Sequence, residues 1–149
     1  MKTIVWDRPA EVGRWVCSRI GGSFDASSAT AIGLERDGEL IAGVVFDHFN
    51  GRSISMHVAG EGGHWMTRGY AKACFGYVFN QLKVKKVIGL VDSANLAARR
   101  YDEHLGFRLE SVITDAGREG DLLIYTMTAG ECRWLGEKHG QQVLAAAGT

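Results

Sequence analysis

The sequence predicts an α/β (α+β) domain: a mixed, mostly antiparallel sheet with helices on both faces, in the order β-α-βββ-α-β-α-ββ. Three observations lead there. Two dipeptides, Asp37-Gly38 and Asn50-Gly51, separate three β-like runs, and such dipeptides signal tight hairpins because both turn positions need positive φ. Segments with apolar residues at helical spacing alternate with the later strands. A meander followed by strand-helix-strand units closes into a mixed sheet. With 149 residues, 46% of them apolar, the chain is expected to form one domain with one sizeable core. The core is expected over about residues 1–137, with residues 138–149 loosely held.

The elements follow in order. Thr3 to Trp6 is short and β-branched, as a first strand should be. Asp7 is placed to cap a helix whose first turn holds Pro9. Val12, Trp15, Val16 and Ile20 give that helix its apolar stripe, and Gly21-Gly22 stop it. Ser23 to Ala29 reads as a loop. Strands Thr30–Arg36, Glu39–Phe49 and Arg52–Ala59 form the meander, and the middle one is apolar enough to be covered on both faces. A glycine-rich loop, Gly60-Glu61-Gly62-Gly63, leads to a long helix with its stripe at Ala71, Phe75, Val78, Phe79 and Leu82. After a turn at Lys83–Lys86 come a buried strand, Val87–Val91, and a shorter helix, Leu96–Leu105, ended by Gly106. Two strands, Phe107–Thr114 and Leu122–Met127, flank a turn at Asp115-Ala116-Gly117. Thr128 to Glu131 has the spacing of a capping box, which predicts a short last helix through Trp134.

Composition excludes several functional classes. Lys+Arg and Asp+Glu both number 17, so no global field draws the chain to nucleic acid or anionic lipid. The only basic clusters, Lys83-Lys85-Lys86 and Arg99-Arg100, read as solvated faces. Cys17, Cys74 and Cys132 are odd in number and far apart, which argues for reduced thiols and against a zinc knot or disulfide framework. Charges interrupt the N-terminus before any signal region, and no apolar run nears the roughly 20 residues that span a bilayer. A cytoplasmic protein is expected. The spacings of His48, His57 and His64 fit no ligand signature, so no metal is expected.

Two segments carry chemistry. In Gly60-Glu61-Gly62-Gly63-His64-Trp65-Met66-Thr67-Arg68-Gly69-Tyr70-Ala71, a glycine-rich loop runs into a helix start. Free backbone N–H groups and the positive end of the helix dipole make such a junction a phosphate site, and Arg68 adds charge. In Asn95-Leu96-Ala97-Ala98-Arg99-Arg100-Tyr101-Asp102-Glu103-His104-Leu105-Gly106-Phe107, a short helix follows the buried strand; Asn95 suits its cap and Gly106 its stop.

Together these segments resemble the GNAT (general N-acetyltransferase) superfamily. The strand, Asn95 and Gly106-Phe107 are similar to its strand–Asn–helix–Gly-Phe stretch. Gly69-Tyr70-Ala71 resembles the end of its acyl-CoA pyrophosphate loop, and the element order resembles its fold over roughly Thr30 to Met127. Met66 stands where the family usually has Gln or Arg. Asp102 stands seven residues after Asn95, where many members have a general-acid Tyr, and Tyr101 is one residue early.

The resemblance implies an acetyltransferase using acetyl-CoA as acyl donor. The donor would lie between the strands Arg52–Ala59 and Val87–Val91, with its thioester carbonyl on the N–H groups of Val58 and Ala59. Its pyrophosphate would lie on Thr67, Arg68, Gly69, Tyr70 and Ala71, with Asn95 alongside. The acceptor, a small-molecule or protein amine, would attack directly. His57, beside the thioester, would assist removal of its proton, with His48 or Asp47 as neighbours on opposite faces of their strand. Tyr101 would be the general acid. A homodimer is compatible with this reading. The alternatives are a non-catalytic CoA-binding module of the same fold, separated from the enzyme by thiol release, and a relative that modifies a nucleic-acid base, separated by salt-sensitive binding of DNA or RNA.

Overall fold

The structure, a computed structural model, describes residues 1–136; the expectation of a loose tail falls outside them. Strand β1 is Lys2–Val5, α1 is Pro9–Ile20, and β2, β3 and β4 are Thr30–Arg36, Glu39–Asp47 and Ser53–Gly60. Helix α2 is Arg68–Gly76, β5 is Lys86–Asp92, α3 is Leu96–Leu105, and β6 and β7 are Arg108–Ile113 and Leu122–Met127. The seven strands form one sheet in the order β1-β2-β3-β4-β5-β7-β6. Every neighbouring pair is antiparallel except β4 and β5. The predicted element order is the observed one.

The local signals behave unequally. Asp37 and Gly38 both have positive φ, 51° and 88°, as a two-residue hairpin requires. The second hairpin differs from expectation. Strand β3 stops at Asp47, two residues early, and Asn50 turns the chain with its side chain: Oδ1 accepts the N–H groups of Arg52 (2.9 Å) and Ser53 (2.8 Å). Asp7 does not cap α1. Pro9 occupies the first helical position, which puts Arg8 at the cap, and Arg8 instead ties the helix to Glu35 of β2 at 2.8 Å. The last turn of the long helix widens into a π turn at Tyr77–Gln81. The capping box at Thr128 and Glu131 forms, but it holds a single 3₁₀ turn. Extended backbone at Cys132 (φ −80°, ψ 112°) ends that turn, and a second one, Arg133–Leu135, replaces the expected helix.

Helices cover the sheet unequally. Helices α2 and α3 lie on one face, over a large core that includes Val44, Phe46, Met56, Tyr70, Phe75, Val87 and Tyr125. Helix α1 covers the other face, where Val12 and Val16 meet Val5, Ala31, Val45 and Ala59. Strand β3 is therefore buried on both faces, as its apolar run predicts. Phe75 is fully buried, with its ring 6.4 Å from Phe79 and 6.1 Å from Phe107 between centroids. Truncating such a residue to Ala costs roughly 3–5 kcal/mol. Gly106 takes the left-handed conformation (φ 108°) at the end of α3, as a C-terminal glycine should. Cys74 and Cys132 are buried and Cys17 is half-buried, all three free. Among the described residues, no helix is long and apolar enough to cross a membrane.

Candidate active site

The parallel pair β4–β5 is the feature that makes a site. The strands are paired only over Ser53–Ser55 and Lys86–Ile88. Beyond that point they separate, and a cleft of about 980 Å³ opens between Met56–Gly60 and Gly89–Asp92. Its walls come from both sides of the sheet. Trp65, Asn95, Ala98, Tyr101 and Asp102 line it on the α2/α3 side, and Arg19, Ile20 and Arg118 on the α1 side. The β6–β7 connection is held across the end of β5 by Asp92, whose carboxylate accepts the N–H of Glu119 (2.8 Å) and of Ala94 (2.9 Å). Those bonds, Glu119's first, hold the Asp92 carboxyl below the usual range.

Val58 and Ala59 both line the cleft, but their N–H groups differ. The N–H of Glu61 donates to the carbonyl of Ile41 on β3 (2.8 Å), and β3 and β4 stay in regular register down to Asp47. Antiparallel alternation therefore turns the N–H of Ala59 toward β3 and that of Val58 toward the side where β5 has departed. The methyl of Ala59 packs under α1. Of the two expected donors, the geometry leaves Val58.

Segment Thr67–Ala71 begins α2 and does not line the cleft itself. Thr67 caps the helix, its Oγ1 accepting the N–H of Tyr70 at 3.1 Å, and the N–H of Ala71 bonds to its carbonyl. Tyr70 and Ala71 are fully buried, and the Tyr70 hydroxyl donates to the carbonyl of Ile32 at 2.7 Å. These two residues build the core. The free groups are the N–H of Arg68 and Gly69, the first two helical residues, which have no intrahelical acceptor. Met66, half-buried, packs against the core.

On α3, Asn95 caps the helix, its Oδ1 accepting the N–H of Ala98 at 3.1 Å, and it also borders the cleft. Tyr101 reaches across and stacks on Trp65, with centroids 5.1 Å apart and planes at 27°. Its hydroxyl is buried with no hydrogen-bond partner, and burial raises its pKa well above that of an ordinary tyrosine. Trp65 rests directly on Gly60, where any side chain would collide with the indole. Asp102 lies over Gly89 of β5; a methyl group there would meet Oδ2 at 3.1 Å. Burial, then the charge of Glu103, pushes the Asp102 carboxyl up to about 7. Asp102 is thus a cleft residue in its own right, and its position seven residues after Asn95 is the sequence signal for it.

His57 lies on the α1 side of β4, alternating with Met56 and Val58. It borders both the cleft and a second cavity of about 330 Å³ under the end of α1, walled by the apolar Ile20, Phe24, Ala29 and Val45 and by the polar Asp25 and Asp47. Its Nε2 lies 2.8 Å from Oδ1 of Asp47. His48 was expected on the opposite face from Asp47. The strand ends at Asp47, and His48 takes a left-handed conformation (φ 56°) that returns its Nδ1 to 2.9 Å from the same oxygen. Ligand-bearing atoms of Asp47, His48 and His57 all lie within 4.8 Å of one another. Spacing along the chain gave no sign of this, because strand pairing brings the three together. His64 is apart and exposed, its carbonyl accepting from Lys2 at 3.2 Å.

A sheet split at one short parallel pair, with a glycine-rich loop and helix start beside the split, is the architecture that the resemblance to GNAT acetyltransferases implies. No protein-family model and no curated protein matches the sequence. Solved structures do. A probable acetyltransferase superposes with a TM-score of 0.64 at 18% identity, over 87% of this chain and 94% of that one. Mutant forms of the spermidine/spermine N-acetyltransferase SpeG from Vibrio cholerae give 0.59 at 20%, over 72% and 70%. The Campylobacter jejuni N-acetyltransferase PseH, in complex with acetyl coenzyme A, gives 0.54 at 16%, over 69% and 70%. The fold of this chain is the fold these acetyltransferases share.

Proposed function

We propose that the protein is an N-acetyltransferase that moves an acetyl group from acetyl-CoA to a primary amine by direct attack in a ternary complex. The observation that carries this reading is the cleft through the split sheet, which joins a donor side at Asn95, Tyr101 and Trp65 to a second cavity at His57. The donor's pantetheine would take the place of β5 beside Met56–Gly60, and its pyrophosphate would meet the N–H groups of Arg68 and Gly69. The N–H of Val58 would hold the thioester carbonyl and the oxyanion that develops on it.

The amine would enter through the cavity under α1. Asp47 accepts from His57 Nε2–H and so leaves the lone pair on Nδ1, the arrangement that makes an imidazole a proton acceptor. That cavity sets apolar walls at Ile20, Phe24, Ala29 and Val45 beside the carboxylates of Asp25 and Asp47, a lining that favours a small amine with an apolar body that arrives as a cation. The leaving thiolate needs a proton. A thiol holds its proton with a pKa of about 8.5, and Tyr101, raised far above that, gives one up too reluctantly. Asp102, pushed up to about 7, keeps its proton in about half of the molecules at neutral pH. We therefore assign the general acid to Asp102 and read Tyr101 as the residue that positions Trp65. Free thiols, with no disulfide among the described residues, fit a reducing cytoplasm.

Calorimetry with acetyl-CoA, then thiol release across a panel of small primary amines, tests the proposal. One donor per chain and amine-dependent release are expected. Binding without release by any amine would favour the non-catalytic module, and no binding would overturn both.

A further inference from the structure

We propose that Asp47, His48 and His57 bind one divalent transition-metal ion at the edge of the cavity under α1. The metal site itself is independent of the acetyltransferase reading; only its effect on turnover rests on that reading.

Three side chains from two elements converge here for reasons set by the backbone. Asp47 and His57 are diagonal neighbours on one face of β3 and β4, where Asp47 faces Ser55 and Val45 faces His57. His48 joins them through its left-handed backbone. Two imidazole nitrogens, at 2.8 and 2.9 Å, point at one carboxylate oxygen. Such a donor set suits Zn²⁺, Ni²⁺, Co²⁺ or Fe²⁺, and not Ca²⁺ or Mg²⁺, which take oxygen ligands. Ligand arms of about 2.1 Å in tetrahedral geometry set ligand atoms about 3.4 Å apart. Each N···O pair must therefore open by about half an ångström: the exposed His48 side chain yields on one side, and the Asp47 carboxylate must turn away from His57 on the other. Asp47 and His57 are half-buried, so the ion would have a protein inner wall and an open outer position for water.

Binding would change which nitrogen of His57 is basic. A neutral imidazole carries one proton. Without metal it sits on Nε2 and bonds to Asp47. With a metal on Nε2 the proton sits on Nδ1, and the lone pair that would take the amine's proton is gone. Metal would then inhibit acetyl transfer without touching the donor site.

The test uses the full-length, tag-free chain, treated with chelator and titrated with Co²⁺ in the absence of acetyl-CoA. One equivalent is expected to bind, with visible d–d bands showing nitrogen ligation. His48→Asn keeps the left-handed backbone, and Asp47→Asn keeps the shape of the carboxylate. Each should weaken Co²⁺ binding at least about tenfold. A second arm follows amine acetylation with added Zn²⁺: inhibition reversed by chelator is expected, at a zinc concentration at least about tenfold higher for His48→Asn. If the parent and His48→Asn, both folded by circular dichroism, bind Co²⁺ alike, or the parent shows no d–d bands, the site is overturned. Co²⁺ binding by a protein that acetylates no amine would sink the acetyltransferase reading and leave the metal site standing.

Discussion

Nε2 of His57 and Oδ1 of Asp47 lie 2.8 Å apart, ten residues distant in sequence and diagonal across one face of two paired strands. The contact fixes the ring and its tautomer together. General-base assistance is typically worth about 10²- to 10⁴-fold, so His57→Gln should lower the turnover rate at least about tenfold while calorimetry finds acetyl-CoA affinity unchanged. Asp47→Asn should fall between that variant and the parent. Parental turnover in a folded His57→Gln protein would take His57 out of the chemistry.

Asp102 makes stability depend on pH. Its carboxyl titrates near 7 in the folded protein against an ordinary value of 3.8. Between those values the folded state holds a proton that the unfolded state has released, so stability falls as pH rises from about 4 to about 7 and then levels. The full effect is on the order of 4 kcal/mol at most. Asp102→Asn should have a flatter profile and a higher Tm than the parent at about pH 8, with little difference near pH 4. Parallel melting profiles would show that the carboxyl is solvated. In turnover, Asp102→Asn should lose more than Tyr101→Phe.

Gly69 offers a clean probe of the donor's pyrophosphate. No atom lies within 4 Å of where its side chain would be, and its φ is not positive, so Gly69→Glu folds normally. The new carboxylate would sit at the helix start expected to meet the pyrophosphate. Acetyl-CoA affinity should drop at least about tenfold, as befits an anion replaced by repulsion at a helix terminus. Undiminished affinity would move the phosphate site elsewhere.

Asn95 both caps α3 and borders the cleft. Asn95→Ser keeps a cap, whereas Asn95→Ala costs about 1 kcal/mol. Thermal melts should separate those two variants. If Asn95 also meets the donor, both raise KM for acetyl-CoA. A KM raised in neither would leave Asn95 a cap alone.

The fold was legible because its signals are local. Asp37-Gly38 wrote a hairpin, Gly106 a helix stop, and the stripe from Ala71 to Phe79 a buried helix face. What failed was also local but decided by competition. Pro9 shifted the α1 cap from Asp7 to Arg8, Asn50 replaced a backbone turn with a side-chain one, and Cys132 turned a last helix into two 3₁₀ turns. The site was legible only as a set of positions. Of the residues expected there, Val58, Ala59, Asn95, Tyr101 and His57 line the cleft, while the side chains of Tyr70 and Ala71 lie in the core. The tie between His57, Asp47 and His48 depends on strand register and one left-handed residue, neither of which spacing reveals.

The short β4–β5 ladder also has a mechanical consequence. Between strands β1–β4 and strands β5, β7 and β6, the backbone is stitched over only three residue pairs, while α2 clasps both parts from one side. The cleft is therefore the seam along which the molecule should first part under tension. The amides of Ile54 and Ile88, which point across the seam, should exchange with deuterium sooner than those of the β2–β3 centre. A ligand lodged in the seam would act as a rivet, slowing exchange on both of its flanks at once.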